Sequence, residues 1–267
     1  MKFDSLKRAC GKACLGLAIA GMAIAVASCG GKDGSVKEES VAFERFSFKG
    51  YACDNDTDSL RAVDPDYSGL WEVTSDGVLP VAAGKHDVKA LRDTLMALVG
   101  VRDIDGKIAA RFPSYVTELT ERPDTTKIRS LSMNKVSVNL LNSEVLVMQV
   151  FNYAYPEGAA HGNYANTYVN YDLRTGKVLG LSDIFQPDFE KYILPQIIAQ
   201  LKADGNLTED EQSVSVPQNF RLTEEGVEFV FGIYAVAPYS NGEPRVGFYT
   251  SDLEDILTPE GKALLAD

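Results

Sequence analysis

Histidine and cysteine are scarce in this chain of 267 residues, which has two histidines, His86 and His161, and four cysteines. Protein zinc sites need several nitrogen or sulfur ligands, so this composition argues against a zinc site. The sequence also lacks the motifs of serine hydrolases, P-loop NTPases, dinucleotide-binding enzymes and zinc proteases. Carboxylates are plentiful, but no spacing singles out a catalytic pair. The sequence therefore leans against an enzyme and predicts no cofactor and no metal site.

The first 28 residues have the pattern of a lipoprotein signal peptide. A basic segment (2–12) precedes an apolar run (13–27), which is shorter than the roughly 20 residues of a membrane-spanning helix. The run ends in Val-Ala-Ser-Cys at 26–29, which resembles the lipobox of bacterial lipoproteins. We expect Cys29 to carry the lipid and residues 29–40 to form a flexible polar tether.

No later segment is apolar enough for a transmembrane helix, so we expect the lipid to be the only membrane anchor. Gly30, rather than Asp, follows Cys29, and this favours the outer membrane of the cell envelope. Which face of that membrane carries the protein stays open. Removal of the signal peptide would leave Cys53 as the one thiol besides Cys29, so no internal disulfide is expected.

The chain is acidic, with a formal net charge of −12 at pH 7. The signal peptide carries one acid and four bases, so the remaining 239 residues have 37 acids against 22 bases, a formal charge of −15. Such a surface repels nucleic acid and attracts basic partners. A coat of charge that only keeps the protein soluble is the other interpretation.

Residues 41–130 are predicted to form a small N-terminal α+β subdomain. Its clearest element is a helix over 87–99, where apolar residues recur at spacings of three and four. An acidic loop over 54–66 imitates a calcium loop, but Ser59 replaces the glycine and Pro65 the glutamate of that motif. Whether this loop binds calcium is left open.

Residues 131–267 are predicted to form a second α+β domain around a mainly antiparallel sheet, because meandering strands are interrupted by few helices. A nearly continuous apolar run over 145–151 is typical of a central strand. The other predicted elements are strands at 136–140, 164–173, 220–222, 227–235 and 245–249, a helix at 189–203 kinked or split at Pro195, and terminal helices opening at 251–254 and 258–259.

The segment Glu157 to Tyr164 contains the candidate binding residues. Small residues let the backbone turn tightly, and the side chains of His161 and Asn163 offer hydrogen-bond donors and acceptors there. The candidate ligand-binding residues are His161, Gly162, Asn163 and Tyr164. The interpretation that we favour over ligand binding is that His161 and Asn163 bond neighbouring carbonyl groups and hold the turn, while aromatic side chains cover it.

Several segments resemble a bacterial envelope family of undefined function. They are Gly-x-Ala-His-Gly-Asn at 158–163, Tyr-Asp-Leu-x-Thr-Gly-Lys-x-Leu-x-Leu-x-Asp-Ile-Phe at 171–185, Asn-Phe-x-Leu-Thr at 219–223 and Tyr-Ala-Val-Ala-Pro-Tyr at 234–239. The family forms the C-terminal half of RsiV-type anti-sigma-factor ectodomains and a non-catalytic region of PdaC-type peptidoglycan deacetylases. The likeness spans about residues 140–257, and Ala159 departs from the family's usual second glycine.

The resemblance implies an α+β domain akin to a subdomain of the actin and Hsp70 ATPase fold, without ATPase activity. It also implies a lysozyme-like basic protein as a partner, which the acidic surface would tolerate. Our main hypothesis is a lipid-anchored, non-catalytic envelope module that binds such a protein or a cell-wall glycan such as peptidoglycan. The alternatives are a glycan or peptidoglycan hydrolase and an accessory subunit of an envelope complex.

Overall fold

The structure is a computed structural model that describes residues 24–25, 41–208 and 210–265. The predicted lipid attachment site Cys29 and the predicted tether lie outside the described residues, as does all of the predicted signal peptide except Ile24 and Ala25. Those two residues pair in antiparallel fashion with Phe43 and Ala42. Among the described residues, no helix is long and apolar enough to cross a membrane.

The fold is α+β, as predicted. The strands are β1 (Ile24–Ala25), β2 (Val41–Asp54), β3 (Leu70–Ala83), β4 (Val101–Ile104), β5 (Lys107–Ala110), β6 (Val116–Glu118), β7 (Ser130–Leu141), β8 (Val145–Tyr155), β9 (Asn163–Asp172), β10 (Lys177–Leu179), β11 (Phe220–Leu222), β12 (Gly226–Val230) and β13 (Arg245–Tyr249). The helices are α1 (Thr57–Val63), α2 (Lys89–Val99), α3 (Leu181–Ile184), α4 (Glu190–Ala203), α5 (Thr250–Leu253) and α6 (Pro259–Leu265).

The main sheet has the order β1-β2-β3-β7-β8-β9-β10, with β6 added beside β2. Its pairs are antiparallel except β3 with β7, which run parallel. A parallel pair requires a crossover connection, and α2 with β4, β5 and β6 provides it. The predicted central strand is β8, which lies between β7 and β9. The sheet is thus mainly antiparallel, as expected.

The two faces of this sheet bury different cores. The α2 face packs against helix α2, whose Leu91 and Leu95 are fully buried, over Leu146, Met148 and Val150 of β8. The second face packs against the C-terminal part of the chain. Its core is formed by alternate residues of β8 and β9 with α3, α4, α5, α6 and the small sheet β11-β12-β13: Val145, Val147, Tyr168, Ile184, Ile193, Ile197, Phe229, Val246, Leu253 and Leu264.

The predicted boundary between residues 130 and 131 lies at the start of β7, where the main sheet is continuous. Trp71 pairs with Ser130 and Gly77 with Val136 along the parallel ladder. One core on the α2 face contains residues from both sides of this point, such as Leu79 and Met148. The two predicted domains therefore share one sheet and one core, and the division between them stays a prediction.

Asp76-Gly77 has the sequence pattern of a turn, but no turn forms there, and β3 continues through it to Ala83. Gly77 has φ +142°, and a Cβ atom at this position would lie 2.1 Å from the carbonyl oxygen of Val136. The glycine is therefore required by the close approach of β7 and not by a chain reversal.

The acidic segment predicted as a loop contains a short helix, α1. The carboxylate of Asp54, just before it, accepts hydrogen bonds from Tyr67 Oη at 2.6 Å and Trp71 Nε1 at 2.9 Å. These oxygens are used to hold the segment against β3. No group of three or more His, Cys, Asp or Glu among the described residues is arranged to hold a metal ion.

Three further expectations differ from the structure. Helix α4 runs without interruption through Pro195, so two short helices are not formed. The strand predicted over 227–235 ends at Val230, and the chain then turns to place Val236 in the core. The strand predicted at 136–140 is irregular, because β7 has a bulge between Val138 and Leu140, and Val138 is exposed.

The two C-terminal helices differ in how their first turns are held. Thr258 Oγ1 accepts a hydrogen bond of 2.9 Å from Gly261 N, and Pro259 is the first residue of α6, as expected for a helix that opens at 258–259. The helix expected to open at 251–254 already begins at Thr250, and no side chain caps it.

Candidate functional site

A groove of about 540 Å³ lies on the α2 face of the main sheet. Ligand sites commonly have volumes of about 300–1,000 Å³. The groove forms because α2 ends at Gly100, whose left-handed conformation (φ 72°) turns the chain away. Its lining consists of Val73, residues 97–100, residues 111–115, Ser132, Asn134, residues 152–154 and residues 163–165.

A row of polar side chains crosses the sheet beside the groove and reaches the end of α2. Asn152 Nδ2 donates to Leu98 O at 3.1 Å and to Asn134 Oδ1 at 2.9 Å. Asn134 Nδ2 donates in turn to Ser75 Oγ at 3.1 Å. Because Ser75 Oγ donates to Val99 O at 3.4 Å, the row binds two carbonyl groups of the last turn of α2. The wall and the floor of the groove are thereby joined.

The opposite wall is the segment 111–115, which is fixed at both ends. Arg111 N donates to Gly100 O at 2.7 Å. Asn55 Nδ2 donates to Ser114 O at 2.7 Å, and Asn55 N donates to Tyr115 O at 3.0 Å. The Tyr115 ring packs on Trp71 with 5.8 Å between ring centroids.

Among the described residues, the groove is lined by apolar and neutral polar residues together with a single charged residue. Amides, hydroxyls and aromatic rings line it, and Arg111 is the one charged residue among its described lining residues. Burial, and then the negative charge of Asp54, raise the pKa of Tyr115, so that its phenol stays neutral at ordinary pH. The groove therefore offers donors, acceptors and ring surfaces, with no carboxylate or imidazole among its described lining residues.

The predicted site residues divide between this groove and a neighbouring aromatic cluster. Asn163 and Tyr164 line the groove at its β9 edge. His161, in the loop before β9, stacks on Tyr239 with ring centroids 3.9 Å apart. Tyr164 joins the two regions, since its ring meets Tyr239 edge to face at 6.3 Å.

The imidazole of His161 links the backbone of its own turn to a second loop. His161 Nδ1 lies 3.0 Å from Gly162 O, and His161 Nε2 lies 3.0 Å from Tyr234 Oη. Tyr239 Oη also donates to Gly162 O, at 2.8 Å. Gly162 packs closely on the ring of Tyr153, since a Cβ atom at this position would lie 2.2 Å from Tyr153 Oη.

Tyr234 is both exposed and strained. Its φ of +65° is unusual for a residue with a large side chain, and 55% of the residue is accessible to solvent. Strained backbone of this kind persists where the surrounding structure holds it, and it is often found at functional sites. The structure thus places His161, Tyr234 and Tyr239 together as an aromatic cluster at the end of the groove.

Glu157, at the start of the predicted segment, is bound within the protein. Its Oε2 atom accepts hydrogen bonds from Ser68 N at 2.9 Å and Gly69 N at 3.3 Å. Its Oε1 atom lies 3.4 Å from Arg129 Nε. This carboxylate ties the loop before β3 to the end of β8.

A second cavity, of about 720 Å³, lies across β2, β3 and β7. Its carboxylates are those of Glu44 and Asp76, and its cations are Arg45 and Lys135. Glu44 is held in an ion pair with Arg92. The cavity therefore has charged residues of both signs, whereas Arg111 is the one charged residue among the described lining residues of the groove.

Sequence reasoning missed Ser132, Asn134, Asn152 and the segment 111–115. A signal for the asparagines was present, because Asn134 and Asn152 share the inward-facing phase of Val136 and Val150 in their strands. A polar side chain at such a position needs hydrogen-bond partners. No such signal exists for 111–115, because its position depends on contacts with residues far away in the chain.

Residues 182–248 match a family model described as a protein of unknown function, DUF3298. This chain carries a DUF3298 domain. The matched region contains α4, β11, β12 and most of β13, and thus Tyr234 and Tyr239 of the aromatic cluster. The groove itself lies outside that region. The family expected from the sequence motifs is confirmed, whereas its link to RsiV-type proteins and the likeness to actin stay predictions.

A curated relative is the peptidoglycan-N-acetylmuramic acid deacetylase PdaC of Bacillus subtilis, which is 28% identical over 151 residues. The match covers 53% of this chain and 32% of the deacetylase, so the chain spans about a third of that protein. The deacetylase activity belongs to the whole relative.

Two crystal structures of DUF3298 family members share the fold. The protein from Bacteroides fragilis has a TM-score of 0.57 and 19% identity, and the match covers 84% of this chain and 96% of that one. The protein from Pseudomonas aeruginosa has a TM-score of 0.55 and 18% identity, covering 84% and 97%. At these identities the comparison establishes the fold.

Proposed function

We propose that this DUF3298 protein is a non-catalytic binding module of the cell envelope, and that its groove holds an N-acetylated cell-wall glycan. The observation that carries the proposal is the lining of the groove, which combines amides and hydroxyls with aromatic rings. A sugar presents the same combination from the other side, with hydroxyl and amide groups at its edge and C–H groups on its faces.

Two features of the groove fit a glycan. The side chains of Asn134, Asn152 and Asn163 each have donor and acceptor atoms, and the first two are held in place by the polar row. The rings of Phe112 and Tyr115 provide surfaces on which the apolar face of a sugar can pack. A pre-formed site of this kind loses little conformational freedom when it binds.

The non-catalytic part of the proposal is supported by the residues that line the groove. Hydrolysis of a glycoside usually needs two carboxyl groups about 5–9.5 Å apart, and the described lining residues include none. Glu157, the one carboxylate of the segment 157–164, is bound to Ser68, Gly69 and Arg129.

The choice of a cell-wall glycan is supported by the curated relative, whose name states that it acts on peptidoglycan. The proposed location is the outer membrane, with a lipid on Cys29 as the anchor and residues 29–40 as the tether. A module anchored in this way would lie within reach of the cell wall or of surface glycans, depending on the face that carries it.

A groove-blocking variant tests the proposal. Ser114 is an exposed residue that lines the groove. The substitution Ser114→Trp should therefore fill the groove without breaking the polar row. Ser251→Trp, at an exposed position of α5, is the matched control. Calorimetric titration with soluble N-acetylated peptidoglycan fragments should show a loss of affinity of roughly tenfold or more for Ser114→Trp alone. Absence of binding by the unsubstituted protein would contradict the proposal.

A basic protein such as lysozyme is the second candidate partner, and the net charge of −12 favours it. Association driven by net charge weakens steeply as salt is added. Lysozyme should then be captured at low salt and released as the salt concentration rises from about 0.05 to about 0.5 M. Capture that is the same for Ser114→Trp and the unsubstituted protein would favour this candidate over binding in the groove.

A further inference from the structure

Arg111 is the one charged residue among the described lining residues of the groove. Its side chain has no hydrogen bond or ion pair within the part of the chain that the structure describes, and the residue is exposed. Several other arginines are held in ion pairs, as Arg92 is with Glu44, Arg174 with Asp172 and Arg221 with Glu228. The guanidinium of Arg111 is therefore available to a ligand.

The local structure does not require this charge. The C-terminal end of a helix attracts cations, but the carbonyl groups that end α2 already have partners. Leu98 O accepts from Asn152 and Val99 O from Ser75, while Gly100 O accepts from the backbone N–H of Arg111. The backbone N–H of Arg111 thus forms a hydrogen bond at the end of α2, whereas its side chain has no hydrogen bond there among the described residues.

We propose that the groove selects glycans that carry a carboxylate, and that Arg111 is the residue that recognises it. This inference rests on the proposed glycan-binding function and names the ligand class of the same groove. A guanidinium matches a carboxylate with two parallel N–H···O bonds, which a neutral sugar cannot form. The amides of Asn134, Asn152 and Asn163 would bind the neutral part of the same ligand.

The charge of the rest of the protein sharpens this selection. A formal net charge of −12 repels acidic glycans from most of the surface. A carboxylate would therefore be held only where a cation lies next to neutral donors, and the groove provides that combination. In a cell-wall glycan the carboxylate can come from the lactyl group of a muramic acid residue or from an attached peptide.

The test compares three probes of similar length on the purified full chain. The first is the neutral trisaccharide of N-acetylglucosamine. The second is a saccharide with a free lactyl carboxylate on an N-acetylmuramic acid residue, and the third carries the carboxylate on a short peptide. At least one of the two carboxylated probes, lactyl or peptide, should bind roughly ten- to a hundredfold more tightly than the neutral one. The tighter of the two identifies the source of the carboxylate.

Variants assign the difference to Arg111. Arg111→Gln should lower the affinity for the carboxylated probe to that for the neutral probe, and Arg111→Lys should retain part of the preference. Arg102→Gln is the control, because Arg102 is exposed on the neighbouring β4 and does not line the groove. Equal binding of all three probes, unchanged in Arg111→Gln, would overturn this inference and leave the glycan-binding function intact. Binding of none of the three would overturn both.

Discussion

The side-chain amide of Asn152, on the central strand β8, donates a hydrogen bond of 3.1 Å to the carbonyl oxygen of Leu98 in the last turn of α2. The same Nδ2 atom donates to Asn134 Oδ1. One side chain therefore connects the helix, two strands and the wall of the groove. Its removal should affect both the stability of the protein and the shape of its candidate site.

Asn152→Ala should lower the free energy of unfolding by about 1–3 kcal/mol, because two acceptors would lose their donor. Urea unfolding followed by circular dichroism measures this change. Asn163→Ala is the matched control, because that exposed amide accepts only from the neighbouring Tyr164 N within the described residues, and its effect should stay within about 0.5 kcal/mol. Equal effects of the two substitutions would show that the polar row does not stabilise the fold.

Gly77→Ala should be strongly destabilising. The added methyl group would meet the carbonyl oxygen of Val136 in the parallel strand, and φ of +142° is unfavourable for alanine. Strain and steric overlap together predict a loss of about 3 kcal/mol or more. Gly247→Ala, on β13, has open space at the new methyl group and should retain nearly normal stability. A mild effect at Gly77 would contradict the close approach of β3 and β7.

The elements that the sequence predicted well are those decided by local patterns. Helix α2 follows from the spacing of Leu91 and Leu95 and from the stop at Gly100, and α6 follows from Thr258 and Pro259. The long apolar run of β8 likewise indicated a strand buried on both faces. In each case the signal lies within a few residues of the element.

The parts that the sequence did not predict depend on distant contacts. Gly77 has the local appearance of a turn, and only the approach of β7 makes it a strand residue. The groove combines the end of α2, the segment 111–115 and the strands β7, β8 and β9, so no single stretch of sequence contains its pattern. Asn163 and Tyr164 were identified because they follow a glycine-rich turn, which is a local signal.

Acid should destabilise the protein partly through Asp172. This carboxylate is only 3% exposed and accepts hydrogen bonds from Arg174 N at 2.8 Å and Thr175 N at 3.3 Å. Burial raises its pKa, but the hydrogen bonds from Arg174 and Thr175 together lower the pKa by more than burial raises it. The pKa of Asp172 therefore lies below the usual value. The unfolded chain then binds the proton more readily than the folded protein.

The stability that Asp172 provides should be complete above about pH 4, the ordinary range of an aspartate. It should be lost as the pH falls through the lower pKa of the folded state. Urea unfolding between about pH 5 and 2 should therefore show that the free energy of unfolding falls less steeply with decreasing pH in Asp172→Asn than in the parent protein. Asp103→Asn, on the exposed strand β4, serves as the control. Parallel curves for Asp172→Asn and the parent would contradict this assignment.

His161→Ala separates a structural role from ligand contact. The substitution removes the hydrogen bonds to Gly162 O and Tyr234 Oη. We therefore expect the free energy of unfolding to fall by at most about 0.5–1.5 kcal/mol for each bond. Tyr234→Phe removes the second bond alone and should cost less. Thermal unfolding of both variants measures this difference. Full stability with weakened glycan binding would instead assign His161 to the ligand.

The most direct test of the glycan-binding groove is an NMR titration of the side-chain amide groups of asparagine with an N-acetylated cell-wall saccharide. We expect the signals of Asn134, Asn152 and Asn163 to shift together and to saturate with one affinity. Asn206, whose side chain bonds to Asn241 on another part of the surface, should not change. Shifts confined to residues outside the groove, or no shifts at saturating saccharide, would contradict the account.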